Sequence, residues 1–149
     1  MARPTAPDEP PARPVFVDSS AWFAVASASD GKHAEADVLL RHAVARGTRL
    51  VTTNLILAEI HRLALARMGI RPAAALLDRI EASRLVTVVH ADAEHHRAAR
   101  RWLAKLDDQP VSYTDAVSFA VMEATRCRVA MTFDHHFAIA GFRVWQLGG

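Results

Sequence analysis

The chain of 149 residues contains one cysteine, Cys127. That excludes an intrachain disulfide framework and every zinc site built from several cysteines. Long hydrophobic runs are also missing: the longest purely apolar stretch, Ala21 to Ala26, has six residues, where a membrane-spanning helix needs roughly 20. There are only six glycines and no Gly-rich phosphate loop, which argues against nucleotide-binding folds of the Rossmann or P-loop kind. No H-E-x-x-H is present, and the adjacent pairs His95-His96 and His135-His136 would point in different directions on a helix, so eight histidines do not make a zinc centre. Lysine is scarce, with Lys32 and Lys105 the two non-arginine members among 18 basic residues. The net charge of +2 is compatible with nucleic-acid binding but too small to establish it. Trp22, Trp102 and Trp145 are too scattered for a base-stacking platform and read as core or interface anchors, with Cys127 as an apolar filler near a helix end.

What is present is a chain 51% hydrophobic and 23% charged, enough for one full core without a disulfide or metal staple. Five prolines interrupt the first fourteen residues, which lack the apolar core of a signal peptide and read as a flexible Pro-rich tail, 1–14. The expectation is a soluble, cytoplasmic, single-domain protein spanning 15–149, with no membrane attachment. From Val15 onward the pattern is regular. Strands are predicted at Val15-Phe16-Val17, Leu50 to Thr53, Leu85 to Val89, Val129 to Phe133 and Phe142 to Leu147. Helices are predicted from about Ala21, over His33 to Arg46, over Leu55 to Met68 with Asn54 as its cap, from near Pro72 to about Ser83, over Asp92 to Leu106 and over Tyr113 to about Thr125. Strands alternating with helices imply parallel pairing through right-handed crossovers. The fold class is therefore α/β, a three-layer α/β/α sandwich with a five-stranded, mainly parallel sheet, whose functional crevice lies beyond the carboxyl ends of the strands.

Four carboxylates bear on that crevice. Asp18 follows the first strand and Asp134 the fourth, though each could equally cap the next helix. Glu59 falls inside the apolar stripe Leu55, Ile56, Ile60, Leu63, which would bury it or hold it at a cleft; a salt bridge to Arg62 at the rim is the alternative. Asp115 closes Ser112-Tyr113-Thr114-Asp115, a sequence that fits a capping box and explains the acid locally, yet it opens a helix apolar nearly all round. Clustered carboxylates repel, which raises their pKa values and destabilises the fold unless a divalent cation removes the conflict. Oxygen donors suit Mg²⁺ or Mn²⁺ rather than Zn²⁺, and such an ion supports phosphodiester hydrolysis. On the helix over Asp92 to Leu106, Arg97, Arg101 and Lys105 recur at i, i+4, i+8, either a track for RNA phosphates or an ordinary solvated face.

The motifs around these acids, Val-Phe-Val-Asp18-Ser-Ser-Ala-Trp, Thr-Thr-Asn-Leu-Ile-Leu-Ala-Glu59-Ile, Ser-Tyr-Thr-Asp115-Ala-Val-Ser-Phe-Ala-Val-Met and Thr-Phe-Asp134-His-His-Phe-Ala-Ile-Ala-Gly-Phe, resemble in order and spacing those of PIN-domain ribonucleases, nearest to VapC-type toxins of bacterial toxin–antitoxin pairs. The resemblance spans Val15 to Leu147. It implies a five-stranded parallel sheet and an endoribonuclease dependent on Mg²⁺, with Mn²⁺ able to substitute. The family's acidic cluster falls on Asp18, Glu59, Asp115 and Asp134, with Asp18 and Asp115 as direct metal ligands and Glu59 and Asp134 bound directly or through water. Ser20 and Thr114 match supporting hydroxyl positions, and the role of His135 is open between substrate, antitoxin and none. The implied partners are an RNA substrate, a cognate antitoxin covering the acidic site, and a second copy of the chain within a toxin–antitoxin hetero-oligomer. The competing reading is a PIN-like module that binds RNA or protein without cutting. A phosphoryl-transfer receiver is less well supported, since no D-x-D follows the first strand and no lysine sits beside a strand end.

Overall fold

A computed structural model of the chain describes residues 14–147. The Pro-rich stretch 1–14, expected as a flexible tail, lies outside the described residues except for Pro14. The strands are β1 (Val15–Val17), β2 (Leu50–Thr53), β3 (Val86–Val89), β4 (Val129–Met131) and β5 (Arg143–Val144). They form one sheet in the order β3-β2-β1-β4-β5, and every pair is parallel. Between them run α1 (Ser19–Ala26), α2 (His33–Arg46), α3 (Asn54–Met68), α4 (Ile70–Ala82), α5 (Ala93–Lys105), α6 (Tyr113–Ala124) and the short α7 (His136–Ile139). Helices α1 to α4 pack among themselves, as do α5 to α7. Successive strand residues face opposite sides of a sheet, and all three residues of β1 and of β4 are buried, so helices must cover both faces. Among the described residues no helix is long and apolar enough to cross a membrane.

The expected elements are present, with corrections at their ends. Strand β4 stops at Met131 rather than Phe133, and β5 shrinks from the expected Phe142 to Leu147 to two residues. Strand β3 begins at Val86 rather than Leu85, is the sheet's edge and exposes Thr87. Helix α7 was not foreseen, because four residues are too few to show a periodicity. The cap of α3 is Thr53, whose hydroxyl accepts from Ile56 N at 3.2 Å. Asn54, expected in that role, is the first helical residue and instead accepts from Ala91 N at 2.9 Å, tying the segment after β3 to α3.

An aromatic cluster anchors the α5–α7 side. Phe119 on α6 meets Phe137 on α7 edge to face at 5.0 Å between centroids, Trp102 on α5 at 5.4 Å, and Phe142 at 5.7 Å. Phe137 in turn lies 6.2 Å from Phe16 of β1. Such ring pairs add to the burial of large apolar areas. The cluster sets α6 and α7 against the centre of the sheet, with Phe119 one helical turn beyond Asp115 and Phe137 next to His136. Truncating Phe119 to Ala should destabilise the chain by about 3–5 kcal/mol, the range for a buried aromatic. Urea unfolding checks this, and a loss below about 1 kcal/mol would show that α6 is not anchored there.

Candidate active site

The parallel β1–β4 ladder pairs Val17 with Met131, so the residues after both strands leave the sheet at the same edge. Asp18 is 2% exposed and occupies the N-cap position of α1, but its carboxylate makes no capping bond. Instead Oδ2 accepts from Ser20 Oγ and from Thr132 Oγ1, both at 2.9 Å. Each hydroxyl, having donated to Asp18, accepts a backbone N–H: Ser20 Oγ from Phe133 at 3.0 Å, and Thr132 Oγ1 from Asp134 at 3.0 Å. The acid at the end of β1 and the turn after β4 are thus locked together. The capping alternative for Asp18 is set aside.

Glu59 sits half-buried on α3, and Oε1 accepts from Ser19 Oγ at 2.8 Å. Among the described residues no ion pair joins it to Arg62. Asp115 is buried in the first turn of α6. Ser112 Oγ accepts from its N–H at 3.0 Å, which is half of a capping box, while the reciprocal bond from the Asp115 carboxylate is absent. That carboxylate faces the other acids and lies 3.8 Å from His136 Nδ1. Asp134 is not the N-cap of α7, which is His135, but its Oδ1 accepts from His136 N at 2.9 Å.

All four acids line one cleft of about 500 Å³, together with Ser19, Ser20, Ser112, Asp30, Lys32 and His136. Thr114, expected as a supporting hydroxyl, is not among the lining residues; its carbonyl accepts from Ser118 Oγ within α6. Arg97, Arg101 and Lys105 also lie outside the lining. Arg97 is paired with Glu94, the Lys105 ammonium lies 4.9 Å from the Trp102 ring centroid, and all three residues of the stripe are exposed. The sequence reading missed Ser19, Thr132, Lys32 and His136. A hydroxyl beside each strand-end acid was a usable signal for the first two, whereas Lys32 and His136 reach the cleft only through the fold.

Burial raises the pKa of Asp18, opposed by its bonds from Thr132, Ser20 and Ser19. Burial is also the largest cause at Asp115, followed by the charges of Asp18, Asp134 and Glu59; together they push its carboxyl up to about 7. The donor set suits a divalent cation on its own chemistry. Several buried or half-buried carboxylate oxygens converge with more negative charge than the site neutralises. The donor atoms of Asp134, His135 and His136 lie within 4.8 Å of one another.

The sequence matches the PIN domain over residues 15–143. The 23S rRNA-specific endonuclease VapC20 of Mycobacterium tuberculosis is 36% identical over 128 residues, covering 86% of this chain and 95% of that protein. The crystal structure of VapC20, described as a sarcin–ricin loop cleaving toxin, aligns with a TM-score of 0.77. A VapC ribonuclease of Archaeoglobus fulgidus is 29% identical over 126 residues, covering 83% of this chain and 79% of that protein. In fold alone, the chain also matches a structure of VapBC2 from Rickettsia felis bound to a promoter DNA fragment, with a TM-score of 0.66 at 12% identity, covering 89% of this chain and 98% of that one.

The raised Asp115 value makes stability depend on pH when no cation is bound. Below about pH 4 the carboxyl is protonated in both folded and unfolded chains and contributes nothing, its unfolded value being near 3.8. Between there and pH 7 the folded chain retains a proton that the unfolded chain has lost, so stability falls as pH rises. Above 7 the full cost of the ionised group is present. Asp115→Asn should therefore raise the melting temperature of chelator-treated protein at pH 8 by a few degrees, about 1 kcal/mol corresponding to roughly 2–4 °C at this size. The difference should vanish near pH 4. A melting temperature at pH 8 unchanged by the substitution would contradict the electrostatic account.

Proposed function

The chain belongs to the PIN-domain family, and we propose that it is a metal-dependent endoribonuclease, the toxin of a toxin–antitoxin pair. Its substrate class is large-subunit ribosomal RNA, by likeness to the 36%-identical relative named as a 23S rRNA-specific endonuclease. The observation that carries the reading is the convergence of Asp18, Glu59, Asp115 and Asp134 on one cleft at the carboxyl edge of the sheet, with Asp115 held near neutrality by its neighbours. Asp18 and Asp115 would hold Mg²⁺, or Mn²⁺ in its place, with Glu59 and Asp134 binding directly or through water. Such an ion supplies an activated water and charge stabilisation at a phosphoryl oxygen.

The remaining roles belong to the chain's own groups. Thr132 and Ser20 fix the Asp18 carboxylate so that its outer lone pairs face the cleft. Ser19 holds Glu59 by one oxygen, leaving the other to orient water and accept its proton as the water oxygen bonds to phosphorus; the ribose oxygen leaves with the P–O bonding pair and takes a proton from solvent. Lys32 brings a cation to the lining of the acidic cleft and contacts an RNA phosphate there. The partners that follow from this function are the RNA substrate, a cognate antitoxin covering the cleft, and a second copy of the chain; the compartment is the cytoplasm.

With Mg²⁺ or Mn²⁺, the antitoxin-free protein should cut total cellular RNA into discrete fragments, and chelation should abolish the bands. Asp18→Asn and Asp115→Asn should remove the activity. Thr132→Val, which keeps the shape but removes one of the two hydroxyl bonds to Asp18 Oδ2, should lower it by about ten- to a hundredfold, the usual effect of losing a bond to a ligating carboxylate. Full cleavage by Asp18→Asn, purified clear of host nucleases, would overturn the site. Undiminished RNA affinity without cleavage of any cellular RNA would establish a binding module instead.

A further inference from the structure

The imidazole of His136 stands apart from the other groups in the cleft. The residue is 9% exposed and lines the cleft, and among the described residues neither ring nitrogen has a hydrogen-bond partner. Burying polar nitrogens without partners is costly, and such groups are rare unless something outside the chain completes them. Nδ1 lies 3.0 Å from Asp134 Oδ1, in a direction that makes no hydrogen bond, and 3.8 Å from Asp115 Oδ2. A carboxylate oxygen from α6 and one from the turn before α7 therefore both stand within 3.8 Å of the same ring nitrogen. Adjacent ligands on an octahedral ion with bonds of roughly 2.1 Å are separated by about 3.0 Å, and the Asp134–His136 separation equals that spacing.

We propose that His136 is a direct nitrogen ligand, through Nδ1, to a divalent cation shared with Asp115 and Asp134, and that it biases the site toward Mn²⁺ over Mg²⁺. Imidazole suits transition metals, while carboxylate and water suit Mg²⁺ and Mn²⁺ alike; a mixed set therefore discriminates where an all-oxygen set does not. The two histidines of the pair divide cleanly. His136 is buried, whereas the His135 side chain is 75% exposed, with its Nδ1 3.8 Å from the same Asp134 oxygen. His135 rests on the His136 ring at 4.3 Å between centroids and is not a ligand. The inference rests on the proposed metal dependence but not on the identity of the RNA.

Two measurements on the full, metal-free chain test it without an activity assay. Pulsed electron paramagnetic resonance of the Mn²⁺-loaded protein should show coupling to a histidine nitrogen. That coupling should disappear in His136→Gln and persist in His135→Gln. Calorimetric titration should show Mn²⁺ affinity falling by about tenfold or more in His136→Gln, with Mg²⁺ affinity changing by less than about threefold. Bound Mn²⁺ without nitrogen coupling in the parent would overturn the assignment, and the parent spectrum decides this even if the variant fails to fold. Coupling lost in His135→Gln alone, or equal loss of both metals in His136→Gln, would overturn it as well. RNA cleavage without nitrogen coupling would leave the ribonuclease reading intact and sink this one. Coupling without cleavage of any RNA would do the reverse.

Discussion

Thr132 Oγ1 donates to Asp18 Oδ2 at 2.9 Å across the ends of β1 and β4, and the rest of the cleft is placed by that bond. It is possible only because the two strands are parallel and in register, Val17 opposite Met131. One strand's terminal acid and the other's first hydroxyl then emerge side by side. The same hydroxyl accepts from Asp134 N, so the second strand-end acid is fixed relative to the first within two hydrogen bonds. On the other flank, Trp22 Nε1 donates to Thr52 Oγ1 at 3.3 Å, and Thr52 Oγ1 donates to the Val17 carbonyl at 3.1 Å. The ends of β1 and β2 are joined in turn, which carries Ser19 to Glu59 in the second turn of α3. A few hydroxyls thus convert strand order into carboxylate geometry.

That geometry opposes folding. Burial and mutual repulsion both disfavour the ionised forms of Asp18 and Asp115, and nothing local relieves it at Asp115. The opposing force comes from the apolar packing behind the cleft. Phe119 and Phe137 meet edge to face and carry α6 and α7 on β1 through Phe16. The helix bearing Asp115 and the turn bearing Asp134 and His136 therefore cannot separate without opening the aromatic cluster. A site of this kind stores electrostatic strain in a rigid frame, and a cation releases it on binding.

How much of this was legible in the sequence follows the range of the forces involved. Strand runs and helix periodicities are local, so the five strands and the longer helices could be read from Val15 onward; their ends shifted where single residues found distant partners. Asn54 looked like a cap because its side chain suits one, but Ala91 N, 37 positions away, claimed its oxygen and left the cap to Thr53. Glu59 and Asp115 stood out because a carboxylate inside an apolar pattern demands a reason. His136 and Lys32 carried no such mark: each lies in a short segment with no periodicity and acquires its place only when the sheet edge closes. The Arg97, Arg101, Lys105 stripe was legible as a face but not as a direction, since which way a helix turns its charge depends on how α5 seats on α6.

The two sides of the cleft are built differently, and this difference bears on how it would work. Asp18 is held by two hydroxyls that are themselves anchored to backbone N–H groups, and Glu59 is held by a third. Asp134 instead takes one backbone N–H from its own four-residue helix, with His136 beside it. In the proposed nuclease, carboxylates held this way would fix where a reacting phosphate sits, and misplacement there by about 1 Å is costly. Donor chemistry also differs between the two sides: the oxygens of Asp18 and Glu59 are held by hydroxyls, and the ring nitrogen of His136 lies beside Asp134. An imidazole placed among those hydroxyls would find hydrogen-bond partners; beside Asp134, among the described residues, neither ring nitrogen makes a hydrogen bond.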